Sequence, residues 1–98
     1  MIGPTPAVHP GEILREEFLL PLELKPYRLA KALLVPRTRI ERLARGEAAV
    51  TADTALRLGR YFGTGPEFWM NLQTAHDIAT TAPILSNPSE IHPRQTAA

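Results

Sequence analysis

Apolar residues along this chain recur at three- to five-residue intervals, and no stretch joins β-branched alternation to hairpin turn signals, so the pattern predicts helices alone. Prolines and glycines cut it into five segments. Pro10 and Gly11 precede Ile13, Leu14, Phe18 and Leu19, the apolar face of a first helix that Pro21 stops. Pro26 suits the first turn of a second helix, with Leu29, Ala30, Leu33 and Leu34 as its apolar face and Pro36 as its end. A third, short helix runs from about Arg37 to Ala44 and finishes at Gly46, the residue suited to a left-handed conformation behind a helix. Thr51 caps a fourth, with Asp53 in its first turn and Gly63 behind Phe62. Gly65 and Pro66 open a fifth, which carries Phe68, Trp69, Leu72, Ala75, Ile78 and Ala79. Pro4 and Pro6 at one end, and Pro83, Pro88 and Pro93 at the other, are poor helix material. The expected layout is a flexible arm over 1–8, an all-α domain over 9–80 and a flexible tail over 81–98.

The link between the second and third helices, Leu34 to Pro36, has the length of a helix-turn-helix turn. Ala30 is small enough for two steeply crossing helices to approach, Leu29 and Leu33 flank it, Val35 plugs the turn, and Ile40 and Leu43 pack back from the third helix. Glycine is usual where this chain has Leu34. A leucine with positive φ is strained, so a somewhat different turn is expected. At about 100° per residue, Ile40 and Leu43 set the buried direction of the third helix. Thr38, Glu41, Arg42 and Arg45 then point outward, with Arg37 and Arg39 on the shoulders. Such a basic, polar face fits the DNA major groove, where arginine bonds guanine bidentately and threonine reaches base edges or a thymine methyl. Arg37, Thr38 and Arg42 are the expected base readers, and Lys25, Arg28, Arg39 and Arg45 the expected phosphate contacts. Glu41, four residues from both Arg37 and Arg45, is expected to orient them.

Charge sharpens this picture more than composition does. The formal net charge is only +1, yet from Lys25 to Arg60 nine bases face three acids, a local +6. Before Leu24, Arg15 stands against Glu12, Glu16, Glu17 and Glu23, a local −3. A basic block inside a near-neutral chain points to a polyanion. The 98 residues suffice for one small domain, and the absence of cysteine excludes disulfides and thiolate chemistry. No apolar run approaches the roughly 20 residues of a membrane span and no secretory leader is evident, so a cytoplasmic protein is expected. His9, His76 and His92 have no metal-ligand spacing, and the small fold offers no evident pocket for paired carboxylates, so neither an enzyme nor a cofactor is expected. His9-Pro10-Gly11-Glu12 reads as a helix start rather than a site, with His76 toward solvent or a dimer contact.

From His9 to Ile78 the chain resembles the HigA-type antitoxins of the XRE-like helix-turn-helix family. The resemblance rests on Val8-His9-Pro10-Gly11-Glu12-Ile13-Leu14, on Val35-Pro36-Arg37-Thr38-Arg39-Ile40, on Thr51-Ala52-Asp53-Thr54-Ala55-Leu56-Arg57-Leu58, and on the run from Phe62-Gly63-Thr64-Gly65-Pro66 through Glu67-Phe68-Trp69-Met70-Asn71-Leu72-Gln73. The chain departs from that pattern at Leu34, at Lys25 and at Ala44-Arg45. The resemblance implies a five-helix, lambda-repressor-like domain that binds operator DNA as a homodimer, represses its own operon and neutralises a HigB-type toxin that cleaves mRNA.

Two further expectations follow from the residues. Phe68 and Trp69 point about 100° apart on one helix and are not expected to share one small core, which places helix five, through Phe68, Trp69 and Leu72, at a two-fold dimer interface. Glu12, Glu16, Glu17 and Glu23 are the expected toxin-facing charges, on the side away from Thr38 and Arg42, since a toxin acting on mRNA needs a basic face. The same glutamates could instead pair internally with Lys31, Arg57 or Arg60. The competing functions are a stand-alone helix-turn-helix regulator and a protein-interaction module without DNA binding.

Overall fold

The computed structural model describes residues 8–95. Most of the expected arm 1–8 and the end of the expected tail 81–98 lie outside them. Five helices pack around one core: α1 (Pro10–Ile13, continuing as a π-helical segment over Leu14–Leu19), α2 (Pro26–Leu33), α3 (Arg37–Ala44), α4 (Ala52–Phe62) and α5 (Pro66–Thr81). Two single 3₁₀ turns, Ala82–Ile84 and Pro88–Glu90, follow, and residues 82–95 bury no side chain. No strand occurs among the described residues.

The start of α1 shows why His9-Pro10-Gly11 is needed. His9 Nδ1 accepts the Gly11 amide at 2.8 Å, capping the helix, and Pro10 occupies a first-turn position where no amide proton is required. Gly11 is buried against α3, and a Cβ there would overlap the Leu43 carbonyl oxygen. The π-helical segment departs from the plain helix expected over this stretch. Its wider turns bond i to i+5, as in Leu20 N–H to the Arg15 carbonyl at 3.0 Å, and bring the five-apart pair Leu14 and Leu19 to the same buried side. In an α-helix those two would diverge by about 140°.

The core comprises Leu14 and Leu19 of α1, Leu29, Ala30 and Leu33 of α2, Ile40, Leu43 and Ala44 of α3, Val50, Ala55 and Leu58 around α4, and Trp69 of α5. All six side chains assigned to helix-turn-helix packing contribute, five of them fully buried and Val35 partly so. Gly59 serves the α4–α5 link as Gly11 serves α1–α3, since a Cβ there would run into the Gly65 backbone.

Several expectations are corrected. Leu34 does not extend the apolar face of α2: it is 84% exposed. Nor does the turn change shape to suit it, because Leu34 takes the left-handed conformation itself, φ 62° and ψ 42°. The Val35 amide closes on the Ala30 carbonyl and the Leu34 amide on Lys31, a glycine-type helix end made with leucine. The strain, roughly 1–2 kcal/mol, is offset by the burial of neighbouring Leu33 and Val35 that this geometry permits. Trp69 is fully buried in the core, its ring centroid 5.1 Å from that of Phe18, and its indole N–H donates to Thr64 Oγ1 at 2.9 Å. It is therefore unavailable to a partner. Phe68 stands edge-on to it at 5.0 Å and stays 38% exposed. His76 is half-buried and meets the His9 ring edge-on at 4.9 Å.

Two outcomes are expected of these joints. Gly11→Ala forces α1 away from α3 and should cost about 1–3 kcal/mol, read as a lowered melting temperature and urea midpoint. Burial and then the neighbouring His76 hold the His9 imidazole below its ordinary pKa, against a smaller opposing pull from Asp77. Unfolded His9 therefore takes up its proton first as pH falls, and the stability contributed by neutral His9, complete above about pH 6.5, declines on acidification. His9→Asn keeps a capping oxygen without that proton, so melting compared at pH 7.5 and 5.5 should fall less for the variant. Equal losses in both proteins would remove His9 from the acid response.

Candidate nucleic-acid interface

The helix-turn-helix is formed by α2 and α3; away from the buried Ile40, Leu43 and Ala44, α3 presents Thr38 and Arg42, with Arg37 and Arg39 on its shoulders and Arg45 just behind its end, all exposed. The expected base readers Arg37, Thr38 and Arg42 thus share one helix and one outward side. Lys25, the residue capping α2, and Arg28 in its first turn are exposed as well. Arg57 donates to the Leu33 carbonyl at 2.8 Å and pairs with Asp53 at 3.0 Å, tying α4 to the end of α2. It is a structural arginine.

The three arginines of α3 and Arg45 just behind it are each engaged by a partner within the chain. Arg37 pairs with Glu41 at 2.9 Å and lies 5.9 Å from the Tyr27 ring centroid, with Arg28 over the same ring at 6.0 Å. Arg39 donates to Asp53 on α4. Arg42 donates to the Glu47 backbone carbonyl at 3.0 Å, and its Nε lies 4.0 Å from the Glu47 carboxylate. Arg45 meets that carboxylate with two bonds, 3.1 and 3.2 Å. Glu41 therefore orients Arg37 only, because Arg45 has turned to Glu47. The Asp53 carboxyl sits below its ordinary pKa through bonds from Arg57 and then Arg39, and the Glu47 carboxyl through its bond from Arg45. Both remain ionised at neutral pH.

Tyr27 and Glu47 escaped the sequence reading, and so did Gln73, whose buried side chain accepts the Val50 amide at 2.7 Å and donates to Asp77 at 2.8 Å. Their partners lie across turns or, for Gln73, 23 residues away. A buried glutamine in an otherwise apolar helix face was the one available signal.

Glu12, Glu16, Glu17 and Glu23 are exposed on and after α1. Glu16 pairs with Arg15 at 3.1 Å, and among the described residues none of the four forms an ion pair with Lys31, Arg57 or Arg60. Glu23 lines a shallow groove together with Lys25 and Arg45. It therefore lies beside the basic face and not opposite it, as had been expected. Among the described residues no group of three or more acidic or histidine side chains could hold a metal, and no helix is long and apolar enough to cross a membrane.

No family model matches the sequence. Individual proteins do. The chain is 56% identical over 73 residues to virulence-associated protein I of Dichelobacter nodosus, covering 74% of this chain and 68% of that one. It is 39% identical over 71 residues to antitoxin HigA-1 of Vibrio cholerae, covering 72% and 67%. Its fold matches Pseudomonas aeruginosa antitoxin HigA, solved with the higBA promoter, at a TM-score of 0.84 and 43% identity over 91% of this chain and 99% of that one. Two of these three are antitoxins. With the helix-turn-helix of α2 and α3 in place and identity of this extent running through all five helices, the chain belongs to the HigA-type antitoxins of the XRE-like helix-turn-helix family.

Proposed function

We propose that the protein binds operator DNA as a homodimer, represses its own operon and neutralises a HigB-type mRNA-cleaving toxin. The observation that carries the DNA part is the exposed arginine-threonine face of α3, backed by a buried Ile40–Leu43 seam and carried on a fold shared with a promoter-bound antitoxin. Arg37, Thr38 and Arg42 read base edges, while Lys25, Arg28, Arg39 and Arg45 hold phosphates. Two-fold symmetry sets the two recognition helices about 34 Å apart, one turn of DNA. The dimer contact on α5 is made by Phe68 and the half-buried Leu72, with Trp69 supporting them from within the core.

Toxin binding rests on the family and on the acidic character of α1. Glu12, Glu16 and Glu17 present negative charge that would steer a basic toxin, with Glu23 at the margin of the DNA face.

Competition binding against operator variants tests the first part. Arg42→Ala should lose about 1–3 kcal/mol with relaxed discrimination at one base position, whereas Lys25→Ala should weaken all sequences alike and lower the salt slope by about 1 for each protomer bound. Unchanged base preference in Arg42→Ala would sink the assignment. For the toxin, reversing charge at Glu16 and Glu17 should leave folding nearly intact, because exposed pairs such as Glu16 with Arg15 contribute only about 0–1 kcal/mol. Association with toxin at low salt should slow. Unchanged association with a lowered melting temperature would mean that the glutamates are structural.

A further inference from the structure

The end of α3 brings an acidic residue onto the basic face. Behind Arg45, Gly46 turns left-handed at φ 76°; the Gly46 amide then closes on the Leu43 carbonyl at 3.0 Å and the Glu47 amide on the Arg42 carbonyl at 2.8 Å. This paired closure folds the chain back over the last helical turn. It sets the Glu47 carboxylate against Arg45 with two bonds, and the Glu47 carbonyl against Arg42. An acid at this position opposes the helix dipole, whose C-terminal end is negative, so it gains nothing from the helix itself. Exposed ion pairs add little stability either. The placement costs local electrostatic energy and returns it only through the two arginines. Local rules broken in this way mark functional positions.

We propose that Glu47 is a specificity-determining residue of the DNA interface, one that positions Arg42 and Arg45 and withholds part of their charge from phosphates. This rests on the reading of α3 as the DNA-binding helix. A free arginine binds any phosphate it reaches, at any sequence. An arginine held by a carboxylate exchanges that partner only for a site that offers something better, such as the two acceptors of guanine or a phosphate at the right register. Glu47 therefore lowers affinity for all DNA and lowers it more for the wrong DNA. The backbone part of the clamp, from the Glu47 carbonyl to Arg42, survives when the carboxylate is neutralised, so side-chain and main-chain contributions are separable.

The test is Glu47→Gln, which keeps size, hydrogen-bonding capacity and backbone. Fluorescence anisotropy would be measured on the DNA upstream of the protein's own gene and on an unrelated duplex, from 50 to 200 mM salt. Freeing one phosphate contact per protomer tightens binding of unrelated DNA and steepens the log–log salt slope by about 0.9 for each protomer bound, so going from 50 to 200 mM salt should weaken the variant about 3.5-fold more per protomer than the wild type. Binding to the upstream DNA should tighten less, so the ratio between the two duplexes narrows. In the Arg45→Ala background the same substitution should have a reduced effect, a coupling that a purely structural glutamate would not show. The inference is overturned if Glu47→Gln leaves slope and ratio unchanged, or weakens both duplexes equally as its melting temperature falls. If the wild-type protein binds neither duplex, the reading of α3 fails and this inference fails with it.

Discussion

The contact between the backbone of α1 and the backbone of α3 is the constraint on which the rest depends. Gly11 meets the Leu43 carbonyl with no room for a side chain between them. Everything that faces outward from α3 does so because its inner side is pinned there and along the seam of Ile40 and Leu43 against α2. The capping imidazole of His9, the proline after it and the glycine after that each serve the joint differently, by filling an amide, by removing one and by removing a Cβ. A short recognition helix of eight residues has little stability of its own. Its orientation is borrowed from its neighbours.

Electrostatics divides the molecule along the same line. The basic excess of the middle segment is concentrated on α3 and the start of α2, and carboxylates drawn from three places meet it: Glu41 within the helix, Glu47 from its folded-back end and Asp53 from α4. A surface described only by its arginines would be a strong, indiscriminate polyanion binder. With each arginine of α3 already engaged, the geometry of the surface is set before any partner arrives. Arg57 shows the opposite use of the same chemistry, since its guanidinium is spent on Asp53 and on the Leu33 carbonyl at the strained Leu34 turn.

What could be read from the chain was what depends on near neighbours. Proline and glycine positions delimit all five helices, Thr51 caps α4 through the Thr54 amide, and Gly46 ends α3 in the left-handed conformation. The outward face of α3 follows from two buried residues and one angle. What could not be read depends on a third body. Trp69 turns inward because Phe18 and Phe62 form a wall for it and Thr64 accepts its N–H, while Phe68 beside it takes the rim. Tyr27 reaches Arg37 across the turn, and Leu34 accepts strain because the turn geometry is set by what flanks it. No spacing rule along the chain encodes these.

The wide-turned segment of α1 carries an evolutionary corollary. Leu14 and Leu19 stand five residues apart and both point inward, which an α-helix would not allow. Loss of one exposed residue between them, Glu16 or Glu17, would leave four residues of spacing, the interval at which an ordinary helix returns to the same side. The stretch is thus poised for a single-residue deletion, since the two leucines would stay in register and only the solvent side would shorten. An extra residue has no comparable refuge, so length variation among relatives is expected to run in one direction here.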